Sequence, residues 1–346
     1  MPETTVTTGS LRILSSGIAL PVCPSPTGPR SIITNDDLAR ILTTPGLPER
    51  RVQAIYRLIR DQEGTTRHWS HWIGAPAHPD EPDAVTLGAE AARNALDEAG
   101  LAVEDIDLLI LSLSTSTLPT IATSTPLAVA LGYRGPSLDL KAGCAGSLYA
   151  LHLASSLLAS GYRRILVVGT DTMTKYLDPE SLLGFLNVGD AAGALILERG
   201  AGDNFVSSLD GEYSTWDVTG VLDPLPPRPD AKFVFRGAPG QLRETIAQRY
   251  RESFLSLLDR AGVPLGDVEA WVPHQISLPL LREIHEGFET PTLRLVLNGD
   301  RYGNTGAASL YIALHEHRRG FGEGWVGLSA LGGGMRWGAA LWKGIG

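Results

Sequence analysis

The chain has 346 residues, enough for one large domain or two fused halves with sizeable cores. Its formal charge of −9 removes the electrostatic case for nucleic acid, and two cysteines, Cys23 and Cys144, give neither a disulfide framework nor zinc-ligand spacing. That cysteine usage fits a reducing, cytoplasmic setting. Residues 1–10 lack the basic, apolar and small-residue order of a secretory leader, and no apolar run approaches the ~18 residues that cross a bilayer.

In chain order, the pattern predicts a strand over 11–20, ended by Pro21 and a turn-rich run holding Cys23, which reads as inert. Asn35-Asp36-Asp37 reads as a cap for a helix carrying Leu38, Ile41 and Leu42. Residues 49–60 form an amphipathic helix with Val52, Ile55, Tyr56 and Ile59 on one face and Arg50, Arg51, Arg57 and Arg60 around the rest, a solvated set before it is a phosphate site. Residues 62–82 read as a loop with Trp69, Trp72, His68, His71 and His78. Its histidines have no supporting cysteine or carboxylate cluster, so no metal site is expected.

A helix over 86–99 stopped by Gly100, a strand over 107–113 and a helix over 125–131 follow. The next stretch, Asp139-Leu140-Lys141-Ala142-Gly143-Cys144-Ala145-Gly146-Ser147, hands a strand over to a helix that runs to Ala159. That helix is apolar almost all round and is therefore buried. Cys144 sits at its N-terminus, where free N–H groups and the helix dipole favour negative charge. A thiolate nucleophile is the functional reading there; a small buried hydrophobe is the plain one.

Strands over 164–169 and 192–197 close the first half, and residues 207–230, rich in Ser, Pro and Asp, read as a surface loop or lid. The second half repeats the alternation. A helix over 241–261 precedes a strand over 268–272 that runs into Pro273-His274-Gln275. A helix over 278–286 and a strand over 292–297 lead to Gly303-Asn304-Thr305-Gly306. A helix over 307–318 and two last strands complete an α/β chain of two similarly built halves, 1–206 and 207–346. His274 and Asn304 fall at strand ends, where α/β sheets gather their functional groups. His152, His285, His315 and His317 lie on predicted helices and read as structural or solvated.

Five segments in order carry a resemblance: Ala142-Gly143-Cys144-Ala145-Gly146, Val188 to Ala194, Val272-Pro273-His274-Gln275, Gly303 to Ser309, and Leu331 to Gly338. The chain resembles the thiolase-fold condensing enzymes, most of all the ketoacyl-acyl-carrier-protein synthase III branch, over nearly its whole length. The resemblance implies a five-layered αβαβα fold and a homodimer. It implies Cys144 as the nucleophile that takes an acyl group from a thioester, and an oxyanion hole of the Cys144 and Gly333 N–H groups. It also implies that His274 and Asn304 stabilise the enolate formed when a malonyl thioester loses carbon dioxide. No bound cofactor is implied; the substrates are acyl-coenzyme A or acyl-carrier-protein thioesters.

The chain departs from that branch around the substrate. Ser277 and Pro279 stand in the run Ile276-Ser277-Leu278-Pro279, where initiating members carry Ala-Asn-Leu-Arg. Leu183-Gly184 replaces an Arg-Gly that contacts the nucleotide end of coenzyme A, and the bulky pocket-closing aromatic that many members contribute across the dimer is replaced near Thr120. Ser277, Leu331, Thr120, Leu183 and Gly184 are thus the expected substrate-binding positions. The departures point to a secondary-metabolism condensing enzyme, such as a polyketide one, with an unusual acyl group and a carrier protein as possible donor. Two rival readings stand beside it. One is acyl transfer onto an alcohol, an amine or a carrier protein without a new carbon–carbon bond, with His274 as base and the Trp69/Trp72 and Pro-rich loops shaping an acceptor entrance. The other is a non-catalytic partner subunit, which the joint presence of Cys144, His274 and Asn304 opposes.

Overall fold

The computed structural model of the protein describes residues 5–116, 118, 120–182, 184–214, 217, 221–223, 232–234 and 239–345. The chain enters through β1 (Val6–Gly9) and β2 (Arg12–Ala19), then passes β3 (Ile33–Thr34), α1 (Asn35–Leu42), α2 (Glu49–Arg60) and β4 (Thr66–Arg67). The first sheet is completed along α3 (Ala84–Ala99), β5 (Leu108–Ser112), α4 (Ser124–Leu131), β6 (Ser137–Leu140), α5 (Gly146–Ala159), β7 (Arg164–Asp171), α6 (Pro179–Leu182) and β8 (Ala191–Glu198). β9 (Phe205–Gly211) and the antiparallel pair β10 (Val221–Asp223) and β11 (Lys232–Val234) lead to α7 (Pro239–Ala261). Then come β12 (Val268–Pro273), α8 (Leu278–Glu286), β13 (Arg294–Leu295), α9 (Gly299–Tyr302), α10 (Ser309–His317), β14 (Trp325–Gly332) and β15 (Arg336–Lys343).

The two main sheets run β2-β8-β7-β5-β6 and β1-β9-β15-β14-β12-β13. Leaving β1 aside, both follow the same order, first, fifth, fourth, second and third strand of the half. The directions repeat as well: β2/β8 and β7/β8 are antiparallel and β5/β7 and β5/β6 parallel, as β9/β15, β14/β15, β12/β14 and β12/β13 are in turn. The division expected after residue 206 falls inside β9, and β1 crosses over to pair with β9, so the chain's first strand belongs to the second sheet.

Residue alternation along the strands builds the layers. Ile110 and Val167 from one sheet and Val272, Leu328 and Trp342 from the other close on α5 and α10 between them. The opposite face of the first sheet, with Leu109, Leu111 and Val168, is covered by α3. The opposite face of the second, with Trp271, Leu331 and Leu341, is covered by α7 and α8. The result is the five-layered αβαβα thiolase fold. Helix α5 lies between two sheets, which explains its apolar character on every side: Leu148, Leu151 and Ala154 have no exposed surface.

Local chemistry sets the element ends. Asp83 caps α3 by accepting the Thr86 N–H at 2.7 Å, and Gly100 ends it in the left-handed conformation at φ 64°. In α1 the cap is Thr34 rather than Asn35-Asp36-Asp37, and Asp37 closes the box on the Thr34 N–H. The predicted loop over 207–230 begins as β9, whose buried Ser207 and Ser208 make it polar in composition and internal in position. Residues 215–216, 218–220 and 224–230 of that loop lie outside the described ones. The strand predicted over 292–297 shortens to Arg294–Leu295.

Candidate active site

Cys144 stands between β6 and the first turn of α5, on a loop that two glycines press against the end of β14. Gly143 has φ +57°, and a Cβ there would lie 2.7 Å from the Gly333 nitrogen. A Cβ on Gly332 would lie 2.7 Å from the Cys144 nitrogen and 2.6 Å from the Ala142 oxygen. Only hydrogen side chains permit that approach. It brings the Gly333 backbone alongside the nucleophile loop, and the Cys144 N–H favours its own thiolate. Burial and then the nearby Asp171 charge act more strongly the other way and push the thiol up to about 12. This direction runs against the easily ionised thiol expected at a helix N-terminus, although Cys144 keeps some exposed surface.

His274 follows the last residue of β12, where Pro273 sits opposite Ser329 of the parallel strand β14. Its N–H donates to the Ser329 carbonyl at 2.8 Å, and its carbonyl accepts the Ile276 N–H at 2.9 Å and the Tyr250 hydroxyl at 3.4 Å. Ser329 and Gly332 are three residues apart on β14, about 10 Å of extended chain. The His274 turn and the Cys144 loop thus both lie toward the C-terminal end of β14. The ring itself is fully buried, and neither nitrogen has a partner among the described residues. Burial pushes it down to about 3, so it is neutral at any ordinary pH.

The next residue is spent entirely on positioning. The buried Gln275 side chain donates to the Pro273 and Val296 carbonyls at 2.8 and 3.1 Å and accepts the Asn298 and Gly299 N–H groups at 2.9 and 3.1 Å. This ties the His274 turn to the start of α9, which leads to Asn304. Asn304 is then pinned on the first half of the chain. Its N–H donates to the Asn187 carbonyl at 2.6 Å and its carbonyl accepts the Gly189 N–H at 2.9 Å. Gly303, at φ +72°, permits the contact, since a Cβ would come within 2.3 Å of the Asn187 oxygen. The Gly306 N–H occupies the Asn304 Oδ1 at 3.0 Å, which leaves the Nδ2 hydrogens to donate elsewhere.

Asp171, at the end of β7, joins the halves from below. One oxygen accepts the Ser114 N–H at 2.7 Å and the Thr115 N–H and hydroxyl, both at 2.9 Å; the other accepts the Ala307 N–H at 2.9 Å. Burial raises its carboxyl and these donors oppose the rise. Asp190 has a similar setting: Ser70 and Thr174 bond to it through both N–H and hydroxyl groups.

Among the expected substrate positions, Ser277 is half-buried at the N-cap of α8 without a side-chain cap bond. Leu331 packs in the layer under α7, Gly184 is in an exposed turn, and Thr120 is exposed ahead of α4. Leu183 lies outside the described residues. Trp69 and Trp72 do not form an entrance. They pack with Cys23, Ile33 and Leu38, and the Trp69 indole donates to the Val188 carbonyl at 3.1 Å. Four contributors were not picked out from the sequence: Asp171, Asn187, Tyr250 and the positioning role of Gln275. Only Gln275 stood inside a recognised motif.

Comparison with known proteins agrees with this architecture. Residues 138–212 match the family 3-oxoacyl-[acyl-carrier-protein] synthase III, and residues 258–344 match its C-terminal part. The beta-ketoacyl-[acyl-carrier-protein] synthase III of Erythrobacter litoralis is 32% identical over 336 residues, covering 90% of this chain and 95% of that protein. The crystal structure of 3-oxoacyl-(acyl carrier protein) synthase III from Pseudomonas aeruginosa superposes with a TM-score of 0.79 at 26% identity, covering 96% of this chain and 98% of that one. The priming beta-ketosynthase of the R1128 polyketide pathway shares the fold, with a TM-score of 0.77 at 22% identity over 99% of this chain and 98% of its own. On a likeness that spans both halves, the chain belongs to the ketoacyl-acyl-carrier-protein synthase III family of condensing enzymes.

Proposed function

We propose that the protein takes an acyl group from a coenzyme A or carrier-protein thioester onto Cys144 and condenses it with a malonyl thioester in natural-product assembly. In the first step the Cys144 sulfur attacks the acyl carbonyl, the N–H groups of Cys144 and Gly333 receive the developing oxyanion, and the departing thiolate leaves with the proton that Cys144 gives up. In the second, the malonyl carboxylate departs as carbon dioxide. The electron pair of the broken carbon–carbon bond forms an enolate, which attacks the acyl carbon, and the Cys144 thiolate is expelled and takes up one proton from solvent. His274 and the Asn304 amide donate to the enolate oxygen.

One observation carries this reading: a fully buried imidazole, neutral at ordinary pH, whose two nitrogens have no partner among the described residues, at the sheet end that also holds Cys144. A neutral ring that keeps its N–H is suited to donate to an enolate, and a buried donor without a partner is costly unless substrate supplies one. The natural-product role is supported by Ile276-Ser277-Leu278-Pro279 after the His-Gln pair. A homodimer is part of the proposal, with the half-exposed β6 as the free edge of the first sheet.

His274→Ala separates the two steps. The variant is expected to load acyl groups onto Cys144 as the wild type does, while ketoacyl product falls by about 10²-fold or more. Undiminished ketoacyl product from His274→Ala would remove the condensation role given to this residue.

A further inference from the structure

Asn187 lies between α6 and β8, in the first half of the chain, and touches both loops that carry the second-half residues of the site. Its carbonyl accepts the Asn304 N–H at 2.6 Å. Its side-chain Nδ2 donates to the carbonyl of Ile276, 89 residues further on. Ile276 closes the tight turn that presents His274, because its own N–H bonds to the His274 carbonyl at 2.9 Å. A single residue therefore holds the His274 turn with its amide and the Asn304 strand bridge with its backbone. The two grips differ in what a substitution removes. Changing the side chain releases only the Ile276 carbonyl, and the Asn187–Asn304 and Gly189–Asn304 backbone bonds remain.

From this arrangement we infer that Asn187 is a positioning residue that sets the separation of the His274 ring from the Asn304 amide, and so controls decarboxylation rather than acylation. The inference rests on the condensation reading. The physical reason is geometric. His274 and Asn304 must converge on one enolate oxygen, and the His274 ring has no partner among the described residues to hold its orientation. The backbone of its turn must do that work. Gln275 anchors the turn toward α9 and, through its N–H, to Ser309, and Tyr250 supports the His274 carbonyl from α7; Asn187 ties the turn directly to the backbone of Asn304. The acylation machinery, Cys144 with the Gly332–Gly333 turn, makes close contacts that do not involve Asn187, so loss of the Asn187 amide acts first on the His274 turn.

The test uses the 346-residue enzyme, two disruptive variants and a third that retains the donor. Asn187→Leu removes the donor at similar volume. Asn187→Asp keeps the shape and sets an acceptor against the Ile276 carbonyl. Acyl loading of Cys144 is followed by intact mass, malonyl thioester decarboxylation by carbon dioxide release, and folding by thermal melting. The expected result is a loss of roughly tenfold or more in the decarboxylation kcat in both variants, with acyl loading within about twofold of wild type. Asn187→Gln, which retains the donor, is expected to recover part of the loss. Decarboxylation at the wild-type rate in Asn187→Asp overturns the inference, and so does an equal loss of both half-reactions, which would mark a purely structural residue. If the wild type loads Cys144 but never decarboxylates a malonyl thioester, the condensation reading itself fails, and the inference falls with it by a visibly different result.

Discussion

Desolvation is the leading cause of both shifts, raising the Cys144 thiol, with the Asp171 charge adding to it, and lowering the fully buried His274 ring. In the proposed reaction the pair starts as thiol and neutral imidazole. A pH dependence follows. His274 is lowered from its ordinary 6.5 to about 3. Below pH 6.5 the unfolded chain binds a proton on this ring that the folded chain refuses. The stability linked to it is thus fully present above pH 6.5 and is lost as the pH falls from there toward 3, by up to about 1.4 kcal/mol per pH unit. Urea unfolding of wild type and His274→Ala between pH 7 and pH 4 measures this. The variant is expected to show the shallower loss, and parallel slopes would mean the buried ring is not the linked group.

Among the elements, the junction of β14 with the Cys144 loop is the most tightly specified. Gly332 has no space for a side chain beside Ala142, Cys144 and Ala145. Gly332→Ala is expected to cost about 1–3 kcal/mol of stability by overpacking, and to slow acyl loading of Cys144 at least tenfold by displacing the Gly333 N–H. Thermal melting and a loading time course read the two effects separately; normal loading would show that the turn does not serve the oxyanion. At this scale much was legible in the sequence. Helix α5 announced itself by apolar residues on every side, and β12 by an apolar run ending in Pro273-His274-Gln275. Strand β9 was hidden because Ser207 and Ser208 are polar yet buried, with Ser207 bonded to His152 at 3.0 Å. Asp171 and Asn187 were hidden for another reason. Their partners lie 136 and 89 residues away, and such bonds leave no local period in the sequence. Trp69 and Trp72 misled because aromatic residues in a long loop resemble a pocket rim, whereas here they fill a core with Cys23.

For the whole molecule, the repeated strand order has a functional consequence. The first half supplies Cys144, Asp171 and Asn187, and the second supplies His274, Asn304 and Gly333. Neither half alone holds the proposed site, and Asp171 and Asn187 bind them across the join through backbone groups of Ala307, Ile276 and Asn304. The fold thus explains why the motifs are spread over most of the chain while the chemistry is local. The central claim is condensation through Cys144, and intact-protein mass tests it most directly. Wild type and Cys144→Ala are incubated with a panel of acyl thioesters and then chased with malonyl thioester while carbon dioxide is followed. The account predicts a single acyl adduct on the wild type, none on Cys144→Ala, and discharge of the adduct with carbon dioxide release and a ketoacyl product. An adduct that ignores malonyl thioester and discharges onto an alcohol or amine would contradict it.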